Sequence, residues 1–153
     1  MTVAVLARQL TGLRRLTLDA SVFLAAGDPT DPRRDCALWL LRAIEERRFL
    51  CTISTLTASE LVVRALQRGR RDAAVLQTLL QDFPGVDIRA LTLDVAVLLA
   101  SVRAIAGLRV PDACVVAQAL ASDSQALVHS DRDFSKAAPH YPELRFIDLG
   151  RYC

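Results

Sequence analysis

Apolar residues follow two alternating patterns along the chain: short runs bounded by turn residues, and longer segments with apolar residues at three- and four-residue steps. The short runs predict β-strands near residues 16–18, 49–54, 86–88, 126–130 and 145–149. The longer segments predict helices over residues 20–27, 34–48, 57–69, 71–82, 93–106 and 110–122. Strands that alternate with helices indicate an α/β domain with a mainly parallel sheet flanked by helices, an α/β/α sandwich.

The length of the chain sets the domain organisation. Its 153 residues suffice for one domain with a sizeable core, so residues 1–153 are assigned to a single domain. Residues 1–14 form a candidate N-terminal extension, for which a short helix and a loose leader are both open. The first ten residues lack the basic and apolar regions of a signal peptide. No uncharged apolar run approaches the ~18 residues of a membrane span.

Cysteines and histidines bear on the metal chemistry and the location of the protein. The four cysteines are scattered, and no two have the Cys-x-x-Cys spacing of a zinc motif. Neither histidine lies near a cysteine in sequence, so a zinc site is not expected. Four cysteines in a chain of this length are not typical of a disulfide scaffold, and we therefore expect a reducing, cytoplasmic location.

Four carboxylates, with a fifth close by, follow predicted strands or begin predicted helices. Asp19 and Asp131 come directly after apolar strands, and ligand sites in open α/β sheets lie beyond the carboxyl ends of strands. Asp112 follows Pro111 at the start of an apolar helix, where its charge also complements the helix dipole. Asp19, and Asp131 with Asp133, are equally explained as helix caps.

Glu60 has a structural explanation of its own. Residues 57–60 match the capping box, in which the glutamate side chain reaches back to a free backbone N–H at the start of the helix. The first turn of a helix that follows a strand also points its side chains over the carboxyl edge of the sheet. The sequence therefore leaves a cap and a ligand open at this position.

The acidic positions together predict a metal site. If the sheet brings the strand ends together, about four negative charges share one small space, which is costly unless protons or a metal neutralise them. Oxygen ligands without histidine or cysteine select Mg²⁺ or Mn²⁺. Such ions activate water and stabilise a leaving oxygen in phosphodiester hydrolysis.

Four segments resemble the acidic motifs of the PIN-domain ribonucleases, especially the VapC-like toxins of bacterial toxin–antitoxin pairs. They are LDAS at 18–21, SEL at 59–61, PDACVVAQAL at 111–120 and SDRDF at 130–134. The last two are the more specific, and the resemblance runs from residue 16 to residue 149. It implies a PIN-like fold, a homodimer, and a cognate antitoxin that blocks the site.

The resemblance also implies an activity and its residues: an endoribonuclease that depends on Mg²⁺, with Mn²⁺ as a substitute. The implied catalytic and metal-binding residues are Asp19, Glu60, Asp112 and Asp131. Supporting roles, close to the metal or in its water shell, fall to Asp133, Ser21 and Ser130. Candidate RNA contacts, which ordinary solvated surface also explains, are Arg64, Arg68 and Arg132.

Two features depart from the usual pattern of these toxins. About 15 residues precede the first strand, where such toxins start almost at once. An extra element and an early start codon both explain this segment. His129 and Ser130 stand before Asp131 where Thr-Asn is common, and either pair can form hydrogen bonds.

Three alternative functions stay open. An aspartyl-phosphate enzyme also has an aspartate after its first strand, but one such scheme needs a second aspartate where this chain has Ser21. A PIN-like scaffold that binds RNA or protein without cleavage does not require all four acids. An RNA-processing PIN nuclease outside a toxin–antitoxin pair is the closest alternative, and the absence of a neighbouring antitoxin gene would distinguish it.

Apolar helix faces predict association. Residues 74–80 and 91–102 carry more apolar surface than one small sheet needs. We therefore predict a homodimer and an apolar groove for an antitoxin helix.

Overall fold

The structure, a computed structural model, describes residues 3–152 and contains five strands in one parallel sheet. The strands are β1 (Arg15–Leu18), β2 (Leu50–Ser54), β3 (Val86–Arg89), β4 (Ala126–His129) and β5 (Arg145–Asp148). The α-helices are α1 (Val3–Leu10), α2 (Ala20–Gly27), α3 (Arg34–Glu45), α4 (Thr55–Arg68), α5 (Arg70–Asp82), α6 (Leu93–Ala106) and α7 (Val110–Ala121). Short 3₁₀ helices span Arg132–Lys136, Ala138–His140 and Leu149–Arg151. The predicted α/β class is confirmed.

The strand order places β1 and β4 side by side at the centre of the sheet. The order is β3-β2-β1-β4-β5, so the chain leaves β1 toward one edge and returns to its other side through β4. Leu18 pairs with Val128 in the register, and the backbone N–H of Asp19 donates to the carbonyl oxygen of Val128 at 3.0 Å. Such a reversal of strand order opens a crevice at the carboxyl ends of the strands.

The sheet is buried on both faces, as a parallel sheet requires. On one face Leu16, Leu18 and Val128 join a core built with α1, α2 and α3. On the other, Leu127 and Phe134 pack with the apolar side chains of α6 and α7. Phe134 is fully buried, which stabilises the fold by roughly 1.5–3 kcal/mol and fixes the 3₁₀ helix beside the end of β4.

The structure decides two points that the sequence left open. Residues 3–10 form a helix, and Leu6 and Leu10 are buried in the core, so this segment packs as part of the fold. Helix α4 begins at Thr55, with Ser54 as its N-cap: the Ser54 hydroxyl accepts from the backbone N–H of Thr57 at 2.9 Å. The capping box predicted at residues 57–60 is therefore wrong, because Thr57 already lies inside the helix. None of the helices within residues 3–152 combines the length and the apolar character that a membrane span needs.

Candidate active site

The predicted acids converge on one cleft at the carboxyl ends of β1 and β4. This acidic cleft has a volume of about 560 Å³. Asp19 and Asp131 enter it from the two central strands, Glu60 from α4 and Asp112 from α7. Residues separated by more than 100 positions in sequence therefore share one space.

Asp19 both caps helix α2 and lines the cleft. Its carboxylate accepts from the backbone N–H of Ser21 at 3.1 Å and from the Ser21 hydroxyl at 2.5 Å. The Ser21 hydroxyl oxygen in turn accepts from the backbone N–H of Ser130 at 3.1 Å. Ser21 therefore fixes the Asp19 carboxylate to the end of β4, and the capping and ligand interpretations of Asp19 are compatible.

Three aspartates form the tightest acidic group. Carboxylate oxygens of Asp112, Asp131 and Asp133 all lie within 4.8 Å of one another. Asp131 caps the adjacent 3₁₀ helix, because its Oδ1 accepts from the backbone N–H of Asp133 at 2.8 Å. Lys136 donates to Asp133 at 2.8 Å, and this contact lowers the pKa of that exposed carboxyl. Asp133, predicted to support the site, belongs to this group together with Asp112 and Asp131.

Crowding and burial make Glu60 and Asp112 easier to protonate. Glu60 is the sixth residue of α4, too far along the helix to cap it, and its side chain is half-buried. Burial raises the pKa of Glu60, and the charges of Asp19 and Asp112 raise it further. Burial also raises the pKa of Asp112, although the Arg109 guanidinium opposes this shift. Burial is the larger cause of both pKa shifts, and the neighbouring carboxylates add to it.

Arg109 is the residue that sequence reasoning missed. Its guanidinium lies 3.3 Å from the Asp112 carboxylate, 3.6 Å from Asp131 and 3.9 Å from Asp133. A sequence signal was present, because Arg109 is the N-cap of α7, where the helix dipole disfavours a cation. An arginine in that position is stabilised by the acids that surround it.

The donor set of the cleft fits a hard divalent cation. Carboxylate oxygens from five side chains lie in or beside it, and neither an imidazole nor a thiolate belongs to the three-aspartate group. Arg109 already places positive charge among these oxygens. Mg²⁺ and Mn²⁺ prefer such oxygen ligands and tolerate waters in the remaining positions.

The candidate RNA contacts lie on both sides of the acids. Arg64 lines the acidic cleft itself, and Arg68 lines an apolar groove formed by α2, α4 and α5. Arg132 faces a different cleft, beyond the end of β4. Arg64 also lines that groove, so Arg64 and Arg68 lie together, whereas Arg132 lies apart from them.

Comparisons with known proteins agree with this architecture. The structure of FitAcB from Neisseria gonorrhoeae is 20% identical, with a TM-score of 0.67 over 88% of this chain and 98% of that one. VapC20 from Mycobacterium tuberculosis is 21% identical, with a TM-score of 0.65 over 80% and 94%. DNA-bound VapBC from Salmonella typhimurium is 16% identical, with a TM-score of 0.66 over 90% and 99%.

These structures, each no more than 21% identical in sequence to this chain, establish the fold. No curated protein matches the sequence. The family model of the PIN domain matches residues 16–139, which begin within β1 and include all four predicted acids. Because this match covers well over half of the chain, the chain belongs to the PIN domain family.

Proposed function

We propose that this protein is a Mg²⁺-dependent endoribonuclease and the toxin of a toxin–antitoxin pair. The observation that carries the proposal is the convergence of Asp19, Glu60, Asp112 and Asp131 from four separate segments on one cleft of a PIN domain. Structural relatives support the toxin assignment: VapC20 is described as a sarcin-ricin loop cleaving toxin, and others are VapBC and toxin–antitoxin complexes.

In this proposal the carboxylates hold the ion, and Arg109 contacts the substrate. Asp19, Glu60, Asp112 and Asp131 hold the cation, with Asp133 beside them. The ion, when bound, activates water and stabilises the leaving oxygen of the phosphodiester. Ser21 keeps the Asp19 carboxylate oriented, because it donates to that carboxylate and accepts from the backbone of Ser130. Arg109 supplies a positive charge that can face a substrate phosphate.

Arginines and apolar surface identify the expected partners. Arg64, Arg68 and Arg132 flank the acidic cleft and are suited to RNA phosphates. The apolar groove between α2, α4 and α5 has a volume of about 310 Å³ and opens beside the acidic cleft, with Leu24 and Arg64 common to both. An antitoxin helix bound in this groove would lie next to the acids and block them.

The proposal is tested by incubation of the purified protein with total RNA in Mg²⁺, followed by mapping of the fragment ends. Wild-type protein is expected to produce discrete ends. Asp112→Asn is expected to reduce cleavage about a hundredfold or more, because it removes a buried charge from the metal site. Intact RNA after incubation with folded, Mg²⁺-loaded wild-type protein would leave a binding scaffold as the better description.

Growth arrest distinguishes a toxin from an RNA-processing enzyme. Expression of the protein alone in bacteria is expected to stop growth, and Asp19→Asn is expected to relieve the arrest. Asp94→Asn is the matched control, since Asp94 is an exposed residue in the first turn of α6 and does not line the acidic cleft. Normal growth despite abundant soluble wild-type protein would favour the processing enzyme.

We also propose a homodimer that uses the exposed face of α6. Leu93 and Val97 are 80% and 64% exposed, and the nearby Ile105 is 52% exposed. Light scattering at roughly tens of micromolar should give the mass of a dimer for the wild type and of a monomer for Leu93→Asp/Val97→Asp. Val75→Asp, which changes an equally apolar surface position in the groove, should keep the dimer. A monomeric wild type would contradict the proposal.

A further inference from the structure

A second cleft lies at the same edge of the sheet, beyond the end of β4. Its volume of about 690 Å³ lies within the range of roughly 300–1,000 Å³ that is common for small-molecule sites. We call it the arginine cleft, and it is lined by Arg33, His129, Ser130, Arg132, Ser135, Ala138, Phe146, Asp148, Gly150 and Arg151. The proposed nuclease chemistry uses none of these side chains except the candidates Ser130 and Arg132.

The end of β4 separates the arginine cleft from the acidic cleft. Asp131 lines the acidic cleft, whereas its neighbours Ser130 and Arg132 line the arginine cleft. Because these three residues are consecutive, the two clefts adjoin along one short segment of the chain. A strand bound at Asp131 would therefore pass beside the arginine cleft.

The arginine cleft has positive charge that the protein itself does not neutralise. Arg33 is committed, because its guanidinium donates to both carboxylate oxygens of Asp31. Arg151 makes only a 3.9 Å contact with Asp148. Among residues 3–152, Arg132 has no ion pair, and its side chain is exposed. Arg132 is therefore the unpaired cation of this cleft, and Arg151 is more weakly paired than Arg33.

The floor of the cleft combines unpaired polar atoms with an aromatic ring. Within the described residues, Nδ1 of His129 and the hydroxyl oxygen of Ser130 are buried without a hydrogen-bond partner. His129 is 4% exposed, and its ring lies 6.4 Å from that of Phe146, which is half-buried. Buried polar groups are normally paired, so a ligand with hydrogen-bonding groups and a flat ring would complete this floor.

We propose that the arginine cleft binds the nucleotide next to the scissile phosphate of the RNA. Arg132 and Arg151 hold its phosphate, while Phe146 and the polar floor receive its base or ribose. This inference rests on the proposed ribonuclease activity and deepens it, because it assigns part of substrate positioning to a surface outside the acidic cleft. Contacts of this kind fix the register of a strand, and base contacts can add sequence preference.

The test measures binding of a fluorescently labelled, single-stranded RNA of random sequence, in Mg²⁺ and over a range of KCl concentrations. Both binding variants carry Asp112→Asn, so that the probe stays intact. Arg132→Ala/Arg151→Ala is compared with Arg14→Ala/Arg15→Ala, which removes the same charge at the start of β1, at the opposite edge of the sheet. Each phosphate contact on a single strand contributes about 0.7 to the slope of log affinity against log salt.

Because the two arginines hold one phosphate, Arg132→Ala/Arg151→Ala is expected to lower that slope by about 0.7, while Arg14→Ala/Arg15→Ala leaves it unchanged. If the two double variants have the same melting temperature and give equal slopes, the arginine cleft is not a subsite for RNA. A rise in melting temperature with adenosine monophosphate, together with unchanged RNA slopes, would also overturn it, since the cleft would then bind a free nucleotide. RNA cleavage is measured separately with protein that retains Asp112. If that protein cleaves RNA but the two double variants give equal slopes, only the subsite is rejected. If the protein neither binds nor cleaves RNA, the proposed function is rejected as well.

Discussion

Glu60→Gln is expected to reduce RNA cleavage about a hundredfold or more, the scale lost when charge stabilisation of a transition state is removed. Glutamine keeps the size of the side chain and an acceptor oxygen but loses the negative charge that a metal ligand needs. Glu60 points into the acidic cleft from the second turn of α4, where it serves no cap. The loss of activity would therefore report on charge alone, measured as kcat/KM on a mapped RNA site.

The same substitution should leave the metal-free fold equally stable or more stable at neutral pH. The folded-state pKa of Glu60 is raised by burial and by Asp19 and Asp112, so the ionised side chain opposes folding. This penalty is present above the folded pKa and disappears as the pH falls below the unfolded value of about 4.3. Thermal denaturation in EDTA should thus favour Glu60→Gln at pH 7, and the difference from wild type should vanish near pH 4.

Ser54→Ala is the control that breaks the cap of α4 without altering the charge of the cleft. It removes the hydroxyl that accepts from the Thr57 backbone and should cost about 1 kcal/mol of stability. Most activity should survive at low temperature. If Glu60→Gln is active while Ser54→Ala is folded but inactive, Glu60 is not a metal ligand. The metal site would then consist of three aspartates.

Chelation is expected to abolish cleavage, and added Mg²⁺ or Mn²⁺ to restore it. The physical reason is the donor set of the cleft, which offers carboxylate oxygens suited to a hard divalent cation. Metal binding should also stabilise the fold, by about 2.7 kcal/mol when free Mg²⁺ is a hundred times its Kd. Full activity in EDTA would exclude the metal mechanism.

The metal-induced rise in melting temperature has its own controls. Asp112→Asn should show a smaller rise, because one buried ligand charge is gone. In Arg109→Ala, half of the metal-induced rise in melting temperature should occur at a lower Mg²⁺ concentration than in wild type. The reason is that the guanidinium, which lies 3.3–3.6 Å from two carboxylates, no longer competes with the ion. An unchanged midpoint in Arg109→Ala would show that Arg109 and the ion occupy separate positions.

The sequence by itself determined the secondary structure and the positions of the acids. Apolar periodicity and turn residues act locally, so the strands, most helices and the apolar α7 could be predicted from their own residues. Asp19 and Asp131 were identifiable because they end apolar runs, and Asp112 because it begins a buried helix. The family resemblance then joined these local signals into one expectation.

Tertiary structure decided what depends on contacts between distant residues. The order of the strands brings Asp19 beside Asp131 across more than a hundred residues, and no local pattern specifies that pairing. The position of Glu60 was decided by the start of α4 at Thr55: Ser54 took the cap, and Glu60 was left to face the acids. Arg109 pairs with Asp112 locally, three residues along the chain, but its contact with Asp131 depends on the tertiary fold.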